Sequence, residues 1–178
     1  MLNGLVDKYG LNAYIYDSSD DGRAGFEVHA VSGKTDRSDY LRSIGASAVL
    51  GRDALATTRP LESARFGGGL DNVGGPMLSS LLPQTAPGGN VASAGLAASH
   101  VLDATVMPFI IRGVSLLGVA SAGTARAIRE AIWEHLASDW KPAHLDRICT
   151  REATLQELPE VFGTMLAGDS FGRTVIRL

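Results

Sequence analysis

The feature that most restricts the fold of this chain is the alternation of short apolar runs with amphipathic segments from residue 26 onward. The β-rich run Phe26–Val31 precedes an amphipathic segment at 35–45, which a second apolar run, Ala48–Leu50, follows. The same order of strand and helix signals continues toward the C-terminus across short joints that contain glycine. This alternation predicts an α/β sandwich around a mostly parallel sheet.

Later segments carry signals of the same two kinds. The most regular helix pattern lies at 124–138, where Ala127, Ile128, Ala131, Ile132 and Leu136 share one face. Glycine supplies 21 of the 178 residues, and we interpret the glycine clusters as separators between elements rather than as low-complexity sequence. Further strands are predicted at 70–73, 90–96, 114–119 and 174–178, and further helices at 77–82, from 108 and at 155–166.

Composition excludes several classes of protein. The formal net charge of −3 argues against a chain built to bind nucleic acid, and no run of about 18 apolar residues is present to span a membrane. The single Cys149 excludes an intramolecular disulfide and a cysteine-built zinc site. Residues 1–10 have no apolar core of signal-peptide length. We therefore expect one domain over residues 1–178, in the cytoplasm, with no metal site.

The N-terminal segment, residues 1–25, diverges from the alternating pattern. Only eight residues, 18–25, separate a candidate strand at Asn12–Asp17 from the strand that begins at Phe26. A parallel crossover needs about a dozen residues or more and usually a helix. If the two runs are adjacent in one sheet, they are therefore expected to be antiparallel. The connection also carries Asp20 and Asp21, which would repel a pyrophosphate.

Six segments in register resemble the nucleotide-binding domain of the medium-chain dehydrogenase/reductases, in the zinc-free quinone oxidoreductase and acrylyl-CoA reductase branch. The resemblance runs from about residue 26 to the C-terminus. It implies a Rossmann-like fold with helices on both faces of the sheet, modified here at its first βαβ unit. The segments are EVHAVSGK (27–34), YLRSIGASAVLGRD (40–53), LDNVGG (70–75), GGNVASAGLA (88–97), TVMPFIIRGVSLLGV (105–119) and GRTVIRL (172–178).

The resemblance also implies a cofactor, NADPH, and a place for its 2′-phosphate. The residues after the strand that ends at Val31 would surround the adenosine ribose, where a NAD-specific site would place an acid. The alternative is an ordinary strand-to-helix loop with solvated charges. The expected 2′-phosphate residues are Ser32, Gly33, Lys34 and Arg37, with Tyr40 lining the same place.

Two further segments correspond to cofactor-facing positions in that branch. Gly95, Leu96 and Ala97 follow a strand, at the position where the chain of family members passes close to the nicotinamide ring. Small residues there would let the backbone approach a flat ring. The alternative is a glycine turn packed against the sheet. Phe109 and Arg112 border the cofactor in relatives, whereas the alternative for them is a helical cap with a surface arginine.

The sequence departs from the family pattern in two respects. The N-terminal catalytic domain of the family has no counterpart here, and residues 1–25 contain no G-x-G-x-x-G phosphate loop. We therefore expect a truncated, NADPH-dependent oxidoreductase-like protein in which NADPH binding is weak or lost. Its ancestral reaction would be hydride transfer to a small molecule with an activated double bond or to a quinone.

The competing hypothesis is a non-catalytic interaction module that keeps the fold and has lost the cofactor. Residues 114–119, which begin with Val114 and end with Val119, read VSLLGV and are apolar and uncharged. The resemblance implies that this run lies at a sheet edge, since related enzymes dimerise by joining the corresponding edge strands, and an unpaired strand there invites association. The predicted assembly is a homodimer through this strand, unless the chain's own helices cover it. No catalytic residue can be assigned from the sequence.

Overall fold

The structure is a computed structural model that describes residues 12–17, 26–139, 141 and 145–178. Asp20 and Asp21 of the expected repulsive connection lie outside the described residues. The strands are β1 (Asn12–Asp17), β2 (Phe26–Val31), β3 (Ala48–Leu50), β4 (Phe66–Asp71), β5 (Thr85–Ser93), β6 (Ser115–Gly118), β7 (Cys149–Thr154) and β8 (Arg173–Arg177). The α-helices are α1 (Ser38–Ser43), α2 (Gly75–Leu81), α3 (Met107–Arg112), α4 (Arg126–Ala137), α5 (Leu145–Ile148) and α6 (Leu158–Leu166).

The main sheet has six strands in the order β3-β2-β1-β4-β5-β6. This is the 3-2-1-4-5-6 order of a Rossmann fold. The pairs β2–β3, β4–β5 and β5–β6 are parallel, whereas β1 is antiparallel to both β2 and β4. Five strands therefore run in one direction and the central strand β1 runs in the other. The predictions of a mostly parallel Rossmann-like sheet and of an antiparallel first strand pair are confirmed.

The reversal of β1 decides which segment reaches the functional edge of the sheet. Asn12, at the start of β1, pairs with Val31 at the end of β2. Asp17, at the end of β1, pairs with Phe26 at the start of β2. The connection 18–25 thus joins strand ends at the edge opposite to the carboxyl end of β2. In a parallel first βαβ unit, the phosphate loop would follow β1 at that carboxyl edge.

Helices cover both faces of the sheet because successive strand residues point to opposite sides. Ala30 packs with Leu41 and Ile44 of the α1 region on one face. The next residue, Val31, belongs to the larger core on the other face. The two cores confirm the predicted α/β layers. The larger core comprises Val31, Leu55, Phe66, Leu78, Leu81, Leu82, Val91 and Val114.

The glycine clusters were interpreted as separators, and for two of them this is wrong. Gly67 and Gly68 lie inside β4, which begins at Phe66 rather than at residue 70, and Gly89 lies inside β5, which begins at Thr85 rather than at residue 90. A Cβ on Gly68 would stand 2.7 Å from the Asn90 carbonyl oxygen. Glycine is therefore needed for close backbone packing between the two strands, and the apolar pattern starts too late to mark them.

The C-terminal segment forms a second, two-stranded parallel sheet from β7 and β8, with α6 between them. Helix α4 precedes this unit, and Ile128 and Ile132 of its predicted apolar face expose 57% and 42% of their surface, while Trp133 exposes 68%. Within the part of the chain that the structure describes, no helix is long and apolar enough to cross a membrane.

Candidate functional site

The turn that follows β2 is held in place by two hydrogen bonds. The Ser32 N–H donates to the Leu50 carbonyl at 3.0 Å, which extends the β2–β3 ladder by one residue. The Ser32 hydroxyl accepts the Lys34 N–H at 3.0 Å. Ser32 is only 6% exposed, so a buried side chain fixes the conformation of the turn. The predicted phosphate residues therefore follow a well-anchored turn at the carboxyl edge of two parallel strands.

Three of the predicted residues meet the loop that precedes β8. The Lys34 ammonium donates to the Ser170 carbonyl. The Arg37 guanidinium lies 4.5 Å from the centre of the Phe171 ring, and the Tyr40 ring meets the same ring edge-on at 5.3 Å. The C-terminal unit is thus packed against the predicted 2′-phosphate residues, a contact between segments more than 130 residues apart.

One cation at this edge, Arg52, was not predicted from the sequence. It is the second residue after β3, and its guanidinium lies against the Gly33 main chain, 3.0 Å from where a Cβ on Gly33 would stand. Because β2 and β3 are adjacent and parallel, residues that follow them meet at the same edge. The sequence signal was the charged pair Arg52-Asp53, one glycine after the apolar run Ala48–Leu50. Phe171 had no comparable signal.

These residues fit the adenosine 2′-phosphate at one end of a dinucleotide better than the pyrophosphate in its middle. Three cations lie at this strand edge, with Arg52 against Gly33 and with Lys34 and Arg37 directed to the loop that contains Ser170 and Phe171, and such a set suits a phosphate monoester. The pyrophosphate of a dinucleotide normally sits at the helix N-terminus that follows the first strand. Here β1 runs the other way, so the first βαβ unit supplies no helix start to this edge.

The second predicted group, Gly95 to Ala97, follows β5 at the same edge of the sheet. A Cβ on Gly95 would lie 2.5 Å from the Asn72 carbonyl oxygen, and the Ala97 N–H donates to that oxygen at 3.3 Å. Packing against the end of β4 thus accounts for this glycine, in agreement with the alternative interpretation. Leu96 is 65% exposed. With β1 and β4 between them, β2 and β5 stand about 14 Å apart.

Arg112 is partly buried, and its partners lie before β4 and at the start of β5. Its guanidinium donates to the carbonyl oxygens of Pro83 and Thr85 at 2.8 and 3.0 Å, and to the Glu62 carbonyl. Phe109 packs partly buried against the larger core. The alternative of a surface arginine does not describe this side chain, because it is partly buried and joins α3 to the segments that flank β4 and β5.

The end of β4 forms a tight turn at the same edge. Asp71 is fully buried, and its carboxylate accepts the Gly74 N–H at 2.8 Å. Gly74 has φ of 67°, a conformation that glycine adopts without strain. Among the described residues, no group of three or more His, Cys, Asp or Glu side chains could hold a metal ion. The described residues therefore do not fit a zinc site.

Comparison with known proteins gives a consistent result. The family model described as zinc-binding dehydrogenase matches residues 23–138, more than half of the chain. The acrylyl-CoA reductase AcuI of Ruegeria pomeroyi is 43% identical over 154 residues, which are 85% of this chain and 46% of that protein. This chain thus spans about half the length of the curated relatives that it matches.

Two solved structures are similar in sequence and in fold. The yhdH oxidoreductase of Salmonella enterica, in complex with NADP, superposes with a TM-score of 0.82 at 39% identity. The match covers 86% of this chain and 47% of the Salmonella enterica chain. The yhfP protein of Bacillus subtilis, with NAD bound, gives the same TM-score, identity and coverage. The fold of this chain is therefore that of an oxidoreductase nucleotide-binding domain.

Proposed function

Because this chain belongs to the zinc-binding dehydrogenase family, we propose that it binds NADPH chiefly through the adenosine 2′-phosphate. It then acts as the nucleotide-binding half of an oxidoreductase of the quinone oxidoreductase or acrylyl-CoA reductase type. The relatives support the choice of cofactor, since the Salmonella enterica protein was crystallised with NADP and the Escherichia coli yhdH protein with NADPH. The single observation that carries the proposal is the group of cations at the carboxyl edge of β2 and β3.

In this proposal the residues after β2 donate hydrogen bonds to the 2′-phosphate and stabilise its negative charge. Lys34 and Arg37 supply positive charge, Gly33 lets the backbone approach, and Tyr40 borders the site. Ser32 has a positioning role, because its hydroxyl accepts a hydrogen bond from the Lys34 N–H and so fixes the turn. The edge carries no acid directly after β2, whereas an acid there would select the ribose hydroxyl of NADH.

The pyrophosphate contributes less in this chain than in a complete Rossmann unit. A helix N-terminus presents several free N–H groups and a partial positive charge to a phosphate. The antiparallel β1 removes that element from the edge at which Ser32 lies. We therefore expect affinity for NADPH to be modest and strongly dependent on the 2′-phosphate.

The chemistry that the bound nucleotide would supply is hydride donation to an activated double bond or a quinone. On this chain, Gly95, Leu96 and Ala97 would border the nicotinamide, with the exposed Leu96 side chain presenting an apolar surface. Because the chain spans about half the length of its relatives, a separate polypeptide or domain would complete the pocket for the small-molecule substrate. The compartment that we propose is the cytoplasm.

Calorimetric titration with NADPH and NADH tests this function. We expect NADPH to bind at least about tenfold more tightly than NADH, since a charge-assisted phosphate contact contributes roughly 1.5 to 3 kcal/mol. Lys34→Ala should reduce that ratio, whereas Lys141→Ala, an exposed lysine after α4, should leave it unchanged. Equal affinity of the wild-type protein for the two nucleotides would reject the 2′-phosphate site.

A second candidate function, a homodimeric interaction module, is supported by the position of β6. This strand is the last in the sheet order, and Leu117 and Val119 beside its free edge expose 49% and 47% of their surface. The Val119 N–H donates inward to Ser93 at 2.9 Å. By the two-residue period of a strand, the Gly118 N–H then points outward. We propose that this edge pairs with the same strand of a second copy.

The Gly118 position offers a matched test of edge pairing. Gly118→Pro removes the outward N–H and should convert a dimer into a monomer, whereas Gly118→Ala keeps the N–H and adds a methyl where no atom lies within 4 Å. Sedimentation velocity at micromolar concentration measures the outcome. A wild-type monomer, or a dimer that persists in Gly118→Pro, would exclude the proposed interface.

A further inference from the structure

The loop 167–172, which connects α6 to β8, is anchored on β7. The Thr150 hydroxyl of β7 donates to the Phe171 carbonyl at 2.7 Å. Gly172 ends the loop with a φ of 64°, and a Cβ there would lie 2.4 Å from Cγ2 of Thr150. These contacts fix the backbone at Phe171 and at the residue that follows it, so the position of the Phe171 ring is set by the C-terminal unit.

The same loop contacts the residues that we propose for the 2′-phosphate. The Phe171 ring lies 4.5 Å from Cζ of Arg37, and it meets the Tyr40 ring at 5.3 Å with an angle of 81° between the two planes. The neighbouring Ser170 carbonyl accepts a hydrogen bond from the Lys34 ammonium. One loop of the C-terminal unit therefore contacts three residues of the site, and a single aromatic ring contacts two of them.

The contact with Phe171 leaves the N–H donors of Arg37 available. Arg37 and its ion-pair partner Asp36, 3.1 Å away, are exposed side chains, and an exposed pair of this kind holds a guanidinium only weakly. An aromatic face attracts a guanidinium through its charge and does not use its N–H groups. The ring therefore restricts the position of Arg37 without occupying the donors that a phosphate would need.

We propose that Phe171 is a positioning residue of the 2′-phosphate site, because its ring holds the Arg37 guanidinium and the Tyr40 ring beside the turn that follows β2. Phe171 acts through these two side chains rather than by touching the phosphate. The inference rests on the proposed NADPH function and deepens it, since it makes the C-terminal unit part of the preference for NADPH over NADH. Because Phe171 carries no charge, the presence of the ring is the property that an experiment must vary.

The test compares dissociation constants for NADPH and NADH, measured by calorimetry on variants of the full chain. Phe171→Leu keeps an apolar side chain but removes the aromatic ring, so it should weaken NADPH binding by about fivefold and leave NADH binding unchanged. Phe171→Tyr keeps the ring and should preserve the ratio of the two affinities. Phe162→Leu, which removes an exposed ring of α6 in the same unit, is the matched control.

A second variant changes the anchor of the loop instead of the ring. Thr150→Val removes the hydroxyl that donates to the Phe171 carbonyl while keeping the shape of the side chain, so it should lower the affinity ratio in the same direction, by about twofold. Both nucleotides are titrated into one preparation of each variant, so that a loss of folded protein affects the two measurements equally. The melting temperature of each variant reports the structural contribution of Phe171 separately.

The outcomes separate this inference from the function on which it rests. A wild-type protein that prefers NADPH and keeps its full preference in Phe171→Leu would overturn the role of Phe171 and leave the proposed function intact. An equal reduction in Phe171→Tyr or in Phe162→Leu would also overturn that role, because a general structural effect would then be responsible. A wild-type protein without any preference would overturn both. The expected result is a reduced ratio in Phe171→Leu, a smaller reduction in Thr150→Val, and none in the other two variants.

Discussion

Asn12, the first residue of β1, pairs with Val31, the last residue of β2. The beginning of one strand therefore lies beside the end of the next, in the position where a Rossmann fold has two strand ends side by side. The strand order of the dinucleotide fold is retained, but β1 ends at the edge of the sheet opposite to the carboxyl end of β2. The carboxyl edge of β2 therefore receives no phosphate loop from β1.

Close packing of β4 on β5 predicts a large effect of a small substitution. Gly68→Ala should lower the free energy of unfolding by about 2 kcal/mol, because the new methyl would stand 2.7 Å from the backbone oxygen of Asn90. Urea unfolding measures the change. Gly163→Ala is the matched control: it adds a methyl in open space on α6 and should stabilise by about 1 kcal/mol. Unchanged stability of Gly68→Ala would contradict the described packing.

The carbonyl contacts of Arg112 predict a structural rather than a nucleotide-binding role. Arg112→Gln should lower the free energy of unfolding by roughly 2 to 3 kcal/mol, since it removes charged donors from the Pro83 and Thr85 carbonyls. The ratio of NADPH to NADH affinity should stay the same. Arg129→Gln, on the exposed face of α4, controls for loss of a positive charge. A changed affinity ratio with normal stability would show that Arg112 belongs to the site.

The capping box before α6 predicts a pH-dependent contribution to stability. The Glu157 carboxylate accepts the N–H and the hydroxyl of Thr154 at 2.7 and 2.8 Å, and the backbone hydrogen bond, followed by the side-chain one, lowers the pKa of Glu157. A depressed pKa in the folded state means that the stabilisation is present while the carboxylate is ionised. It is lost as the pH falls below the ordinary glutamate value and through the lowered pKa.

This contribution is measured by comparing the wild-type protein with Glu157→Gln. The difference in melting temperature should be constant around neutral pH and should shrink as the solution is acidified toward pH 3. Glu134→Gln, on the exposed α4, controls for the loss of one negative charge. A difference that grows on acidification would contradict the sign of the pKa shift.

Much of the sheet could be predicted from the sequence because its strands are short and apolar. The bounds of β2 and β3 coincide with the apolar runs at Phe26–Val31 and Ala48–Leu50. The direction of β1 followed from the eight residues available for a connection, whereas the edge position of β6 followed from the resemblance to the family. For β1, β2 and β3 one local property, length or polarity, was sufficient.

Other features depend on contacts that the local pattern does not contain. The glycines of β4 and β5 belong to strands because two backbones approach each other, which no apolar periodicity reveals. Phe171 reaches Tyr40 across most of the chain length. The helical period of α4 shows which residues share a face but not what covers them, and Ile128 and Ile132 are 57% and 42% exposed because the described residues provide no partner surface for them. Arg52, by contrast, could have been found from its position after β3.

The central claim is that the 2′-phosphoadenosine end of the nucleotide carries most of the binding. Calorimetric titration with adenosine 2′,5′-bisphosphate and with NADPH tests it most directly, because the first ligand lacks the nicotinamide half and its phosphate. We predict dissociation constants within about tenfold of each other, since the edge of β2 and β3 supplies the main contacts. NADPH binding that is more than about a hundredfold tighter, with NADH bound equally well, would contradict the claim and would indicate a complete pyrophosphate site.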